Sequence, residues 1–210
     1  MSKQESKIFL IDDDEGIRQS IGLLLKSKGY EVETFASIDR LLEKENYKGI
    51  GCILLDVFLE GKSGLELQAE IETKFECLPI IFISGQGNIP MSVEAMKKGA
   101  LNFLLKPIDD KELIKAIEEA FERSNVLLTK QYEINRFKTL INLLTAREYE
   151  IFCFVITGSL NKQIAAELRI AEHTVKNHRL KITEKLAVKS VAEMVYIADR
   201  LNIKSGLQNY

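Results

Sequence analysis

IGCILLDVFLEGKSG, residues 50–64, carries a run of apolar side chains, Ile53 to Leu55, into a single carboxylate, Asp56, and then into a loop closed by Gly61 and Gly64. A short apolar run bounded by turn residues reads as a strand buried on both faces, the kind found in parallel sheets covered by helices. Asp56 therefore stands where such a strand ends. In open α/β sheets the ligand crevice lies outside the carboxyl ends of the strands, so an acid there is placed for chemistry rather than for packing.

The pattern recurs on either side. Lys7 to Ile11 is a short apolar strand running into Asp12, Asp13, Asp14 and Glu15, and Ile17, Ile21, Leu24 and Leu25 follow at helical spacing until Gly29. Tyr30 to Phe35 alternates apolar residues with Glu and Thr, which predicts a strand toward the sheet edge, with a short helix from Ser37. Past Asp56, Ser63 and Glu66 have capping-box spacing ahead of a helix. Pro79 to Ile83 predicts a fourth strand, ending in Ser84-Gly85-Gln86-Gly87, and a helix runs from near Pro90 to Gly99. Leu101 to Leu105 is a fifth strand, ending in Lys106-Pro107, and Asp109 starts the next helix. Five strands alternating with five helices make an α/β doubly wound five-stranded parallel sheet.

What stands at the strand ends is chemically coherent. Asp12 and Asp13 end the first strand, Asp56 the third, Ser84 the fourth and Lys106 the fifth, all on one edge of the sheet. Three crowded carboxylates repel unless a cation offsets them, and an open, oxygen-only site that keeps several waters favours Mg2+ over Ca2+. A carboxylate, a divalent metal, a hydroxyl and an ammonium match the needs of phosphoryl transfer. Asp56 attacks, the metal and Lys106 neutralise the phosphoryl oxygens, and Ser84 donates a hydrogen bond to the product. Taken singly, Asp14 reads as a helix cap, Ser84 as a turn residue and Lys106 as a surface lysine; the joint placement outweighs those readings.

Composition allows one or two domains: 210 residues, 46% hydrophobic and 29% charged. The net charge of -2 hides an asymmetry, because residues 1–139 carry -5 and residues 140–210 carry +3. Any nucleic-acid contact therefore belongs to the tail. Cys52, Cys77 and Cys153 have no metal or redox spacing and predict buried reduced thiols. No stretch approaches the ~18 apolar residues of a membrane span, so a cytoplasmic protein with no membrane contact is expected.

Residues 122–143 hold neither Pro nor Gly, and Val126, Leu127, Leu128, Tyr132, Ile134, Phe137, Leu140 and Ile141 give an amphipathic pattern. The last helix of the α/β unit should continue as a helical connector rather than a flexible linker. From Leu144 a second unit begins. Thr145 and Glu148 form a capping box opening a helix with Tyr149, Phe152, Cys153 and Ile156 on its apolar side, up to Gly158. Asn161 to Leu168 is a short helix, Arg169 to Ala171 a turn and Glu172 to Leu186 a longer helix; Ser190 with Glu193 caps a fourth, carrying Val191, Met194, Val195 and Ile197. This is an all-α four-helix unit containing a helix-turn-helix. On a wheel, Val175, Ile182 and Leu186 of the longer helix face the core, while His173, Lys176, Asn177, Leu180 and Lys181 lie opposite. That face offers cations for phosphates, an Asn able to grip adenine and a Leu able to touch a thymine methyl. Arg179 and His178 flank the apolar stripe, and Arg179 is placed to reach phosphate or to snorkel along the domain. The two histidines are five residues apart on different faces, which argues against a metal site.

Asp12-Asp13, Asp56, Ser84 and Lys106-Pro107, in this order and context, resemble the receiver domain of two-component response regulators, a flavodoxin-like fold. The resemblance implies that Asp56 accepts phosphate from a histidine kinase, that Asp13, Asp56 and the Phe58 main-chain carbonyl bind Mg2+, and that Asp12 supports the metal's water shell. It also implies that Ser84 and Phe103 form a switch pair, Phe103 otherwise reading as a core aromatic, and that the Lys106-Pro107 bond is cis. Glu60 stands where the family often has Pro, which loosens the loop, and Phe58 is placed to govern water access to the acceptor. LTAREYEI, NKQIAAEL and HTVKNHRLKITEKL resemble the LuxR-type helix-turn-helix, by which Lys176, Asn177 and Leu180 face bases and Thr174 and Lys181 the DNA backbone. Ala171 replaces a usual capping Ser or Thr, and Arg169 a Gly whose positive φ the turn needs.

Together these imply a NarL/FixJ-type regulator: receiver domain 1–122, helical connector 123–143 and LuxR-type domain 144–210. It would bind promoter DNA as a homodimer when phosphorylated. Two alternatives stand beside this reading. One is a regulator acting through phosphorylation-independent receiver contacts. The other is an aspartate-nucleophile phosphatase, which Asp12-x-Asp14 superficially fits, although Gly16 stands where that motif has Thr or Val and no cap domain is present.

Overall fold

Alternation along the central strands puts one set of side chains on each face of a sheet, and here both sets are apolar. The structure, a computed structural model, describes residues 6–59, 62–86 and 89–203. It separates into two units, Met1–Lys130 and Gln131–Tyr210. In the first, β1 (Ser6–Ile11), β2 (Glu31–Phe35), β3 (Ile50–Asp56), β6 (Ile80–Ser84) and β7 (Asn102–Leu105) pair in parallel in the order β2-β1-β3-β6-β7. β2 lies at an edge, as its sequence suggests.

Phe9, Ile11, Ile53, Leu55, Ile80 and Phe82 face α2 (Ile38–Leu42), α3 (Gly64–Lys74) and Ala95 of α4 (Ile89–Lys97). Ile8, Leu10, Cys52, Leu54, Ile81, Ile83 and Leu104 face α1 (Glu15–Ser27) and the start of α5 (Asp110–Ile141). Each fully buried aliphatic of this kind contributes about 1.5–3 kcal/mol, so these faces hold the fold. Ser124 of α5, fully buried, fastens the opposite end of the sheet: its hydroxyl accepts from the Gly51 N–H at 3.1 Å and donates to the Cys77 carbonyl at 2.7 Å.

The register aligns the functional ends. Ile11 pairs with Phe35 and Leu55, Asp56 with Ile83, and Ser84 with Leu105. The Asp12 N–H continues the ladder to the Phe35 carbonyl at 3.2 Å, and the Lys106 N–H reaches the Ser84 carbonyl at 2.8 Å. The Lys106-Pro107 bond is cis, as the resemblance implies.

After Asp56 the chain makes a small antiparallel hairpin, β4 (Phe58–Leu59) with β5 (Lys62–Ser63), where the sequence suggests only a loop. Glu60, Gly61 and the side chain of Ser63, with its capping box, lie outside the described residues. Gly64 follows because the hairpin returns against Asp56: a Cβ there would sit 2.6 Å from the Asp56 carbonyl oxygen. Gly87 also falls outside the described residues.

The division between units lies within α5. The second unit holds the last turns of α5, α6 (Ala146–Val155), α7 (Asn161–Glu167), α8 (Glu172–Leu186) and α9 (Val191–Arg200). Its core joins Phe137 of α5 to Ile151, Phe152, Val155, Ile164, Val175, Ile182, Leu186, Met194 and Ile197. The Thr145–Glu148 capping box is present, and Ser190 caps α9 by accepting from the Glu193 N–H.

Two helical faces differ in phase from their sequence reading. α6 buries Glu148, Ile151, Phe152 and Val155 and leaves Tyr149 39% exposed. The two phases share Phe152, and the aliphatic pair, together with an ion partner for Glu148, prevails over Tyr149 and Cys153. α9 buries Met194, Ile197 and Ala198 but exposes Val191 and Val195. The three cysteines are free thiols, as expected; Cys52 is fully buried, which pushes its pKa up, and Cys77 and Cys153 are half-buried. Among the described residues no helix is long and apolar enough to cross a membrane.

Candidate functional site

The helix α1 begins where β1 stops, and its cap sorts the acids by role. The Asp14 carboxylate accepts from the Ile17 N–H at 2.9 Å and so caps the helix, leaving Asp12 and Asp13 for the crevice. Asp12 is 1% exposed. One of its oxygens accepts from the Asp14 N–H at 3.0 Å and the other from Lys106 Nζ at 2.7 Å. Asp56, also buried, accepts from the Phe58 N–H at 3.0 Å and, through its second oxygen, from the same Lys106 Nζ at 2.5 Å. Carboxylate oxygens of Asp12, Asp13 and Asp56 come within 4.8 Å of one another.

Three of the five strand ends thus meet through one ammonium group. Burial works against the charge of Lys106, but its bonds to Asp12 and Asp56 outweigh that cost and raise its pKa, so the ammonium persists at neutral pH. Burial raises the pKa of Asp12, opposed by the Lys106 bond and assisted by the charge of Asp56. Three carboxylates against one ammonium leave negative charge in excess, and their ligand atoms are all oxygen, a combination that suits a hard divalent cation.

Ser84 is fully buried at the end of β6, and its Oγ accepts from the Gln86 N–H at 3.3 Å. Phe103 is half-buried on β7, its ring 6.4 Å from that of Phe82 against the α2–α4 side of the core. The Phe58 side chain, two residues past Asp56, is 48% exposed. The sequence reading missed Arg18, whose Nη1 donates to the Asp12 and Asp13 carbonyls at 2.6 and 3.2 Å and rivets the acidic loop to α1. Its signal was present: a cation in the first turn of a helix, where the dipole disfavours it, directly after consecutive acids.

In the second unit α8 presents the residues the wheel assigns. Val175, Ile182 and Leu186 are buried, while His173, Lys176, Asn177, Leu180 and Lys181 are exposed and Thr174 is half-buried at the start of the helix. Lys185 Nζ donates to Glu148 Oε2 of α6 at 2.6 Å. That bond, with the Thr145 N–H, holds the Glu148 carboxyl down at about 2. Arg179 does not reach outward: its Nη1 donates to Asn161 Oδ1 of α7 at 2.7 Å. The turn before α8 carries Arg169 at φ 51, and its N-cap Ala171 supplies no side-chain bond, as the sequence departures suggest.

Residues 8–118 match the response regulator receiver domain family, and residues 142–198 match the luxR family of bacterial regulatory proteins. The response regulator protein TodT of Pseudomonas putida is 39% identical over 201 residues, covering 96% of this chain and 88% of TodT. The transcriptional regulatory protein FixJ of Bradyrhizobium diazoefficiens is 32% identical over 202 residues, covering 96% of this chain and 97% of FixJ. Among solved structures, the response regulator StyR superposes with a TM-score of 0.77 at 39% identity, covering 93% of this chain and 99% of that one. The chain belongs to the NarL/FixJ-type response regulators, pairing a receiver domain with a LuxR-type DNA-binding domain. It is a phospho-accepting regulator of transcription.

Proposed function

We propose that Asp56 is the phosphoacceptor and that its phosphorylation by a histidine kinase drives dimeric binding of the chain to promoter DNA. The observation that carries this reading is the Lys106 ammonium held against both Asp12 and Asp56 at the carboxyl edge of the sheet. An Asp56 oxygen attacks the phosphorus of a phosphohistidine. The P–N bond breaks, its electron pair passes to the imidazole, which takes up a proton, and an acyl phosphate forms on Asp56. Asp13, Asp56 and the Phe58 carbonyl would hold Mg2+, with Asp12 beside its water shell; bound there, the ion offsets the charge of the phosphoryl oxygens. Lys106 shifts its bond from Asp56 to a phosphoryl oxygen, and the Ser84 hydroxyl turns to donate to another. In this reading the pocket serves one transfer onto the chain itself, not turnover of a small ester.

Phe103 follows Ser84 inward, reshaping the face that carries Ile89, Val93 and Met96 of α4 and Leu105 of β7. These side chains are 80, 44, 47 and 54% exposed and apolar, which suits a homodimer contact. In the dimer two α8 helices enter adjacent major grooves about one helical turn apart. Lys176, Asn177 and Leu180 face bases, and Thr174 and Lys181 the backbone. The working units are a receiver over 1–122, a connector over 123–143 and a DNA-binding domain over 144–210, acting in the cytoplasm.

Intact mass after incubation with Mg2+ and acetyl phosphate tests the acceptor. One phosphoryl group on wild type and none on Asp56→Asn supports it. An adduct that survives in the variant contradicts it.

A further inference from the structure

Resting on the DNA-binding reading, we infer that Arg179 is a positioning residue that fixes the orientation of α8 against α7 through Asn161, and that it is not one of the DNA phosphate contacts. The turn between these helices under-determines the angle of α8. Ala171 gives the helix no side-chain cap, and Arg169 holds the left-handed region at φ 51 with a Cβ. Orientation must come from contacts made further along.

The buried stripe of α8, Val175, Ile182 and Leu186, provides greasy contact that tolerates some rotation about the helix axis. Polar tethers stand on either flank of that stripe. On one flank Lys185 Nζ donates to Glu148 Oε2 of α6 at 2.6 Å. On the other, Arg179 Nη1 donates to Asn161 Oδ1, at the first residue of α7, at 2.7 Å. Rotating α8 in either direction stretches one of the two. A guanidinium-to-amide bond of this length is charge-assisted and directional, so it specifies an angle as well as a distance. Arg147, whose Nη2 donates to the Leu168 carbonyl at 3.0 Å, fastens the end of α7 and so gives the Asn161 anchor a fixed base. The exposed face bearing Lys176, Asn177 and Leu180 is thereby aimed by residues that need not touch DNA.

The test uses the full chain with Mg2+ and acetyl phosphate, and the duplex that the wild-type chain enriches from a random library, titrated across a salt series. Arg179→Ala and Asn161→Ala should each lose about tenfold in affinity, as for a helix holding the binding orientation about a tenth of the time. The double variant should lose little more than either single one. The slope of log affinity against log salt should stay that of wild type, because no phosphate contact has been removed. Asn161→Asp, which keeps an acceptor for the guanidinium, should remain within about threefold of wild type. Thermal melts accompany each variant, and Arg179→Met, keeping the aliphatic stem, replaces Arg179→Ala if that chain is unfolded at the assay temperature. A fall of about one in the salt slope for the Arg179 variant makes it a phosphate contact and overturns the inference, as does wild-type affinity in Asn161→Ala. A wild-type chain that enriches no duplex and shows no salt-dependent binding overturns the DNA-binding reading itself, and this inference with it.

Discussion

In the proposed mechanism Lys106, which donates to Asp56 here, occupies the place where phosphoryl oxygens would arrive. The main chain at Asp56 is closely packed as well. Gly64 lets the returning hairpin pass against the Asp56 carbonyl, where a Cβ would sit 2.6 Å away. Gly64→Ala is therefore expected to destabilise the receiver by about 1–3 kcal/mol, the usual cost of overpacking, and to slow phosphoryl uptake. Denaturant melts and the time course of mass gain measure the two effects. A second residue-scale prediction concerns Glu148, whose carboxyl is held at about 2 by Lys185 and the Thr145 N–H. Its pKa is lower folded than unfolded, so its contribution is complete above the usual carboxylate range and is lost as pH falls through it toward about 2. Hydrogen exchange at α6 amides should show wild type losing protection in that acidic window faster than Glu148→Gln, which is already less stable at neutral pH.

At the scale of elements, the capping pattern and the connector carry the predictions. Ala171 leaves α8 uncapped, and Ala171→Ser should raise the stability of the second unit by about 1 kcal/mol, read as a shift in its melting midpoint. The end of α5 belongs physically to the second unit: Phe137 is 9% exposed and packs in its core, its ring edge-on to Tyr196 at 6.0 Å, and the Tyr196 hydroxyl donates to Glu133. A fragment starting at Gln131 should exceed one starting at Leu144 in stability by about 3–5 kcal/mol, the range for removing a buried Phe. Equal melting curves would contradict that. These elements also show what the sequence could and could not reveal. The five strands were legible, as were the acids that end the first and third of them, because short apolar runs stopped by polar or turn residues leave few alternatives in an α/β chain. The β4–β5 hairpin was not: two-residue strands carry no periodicity. The phase of α6 was ambiguous because two apolar stripes share Phe152, and the burial of Ile151 and Val155 together with the bond from Lys185 to Glu148 chooses between them. A wheel put Arg179 beside the apolar stripe, free to reach phosphate or to lie along the domain, and only the tertiary partner Asn161 chooses the second.

For the whole molecule, the site in the first unit and the DNA face in the second must be linked by free energy rather than by shared residues. A phosphoryl group can shift the second unit only as far as it favours one conformation of the first over the other. Couplings of this kind are typically about 5–150-fold in affinity. The measurement that bears most directly on this is the affinity of the full chain for its enriched duplex, with and without Mg2+ and acetyl phosphate, in wild type and Asp56→Asn. The account predicts a gain within that range for wild type and none for the variant. Equal affinity in all four conditions, with the phosphoryl group shown to be present on wild type, would contradict it.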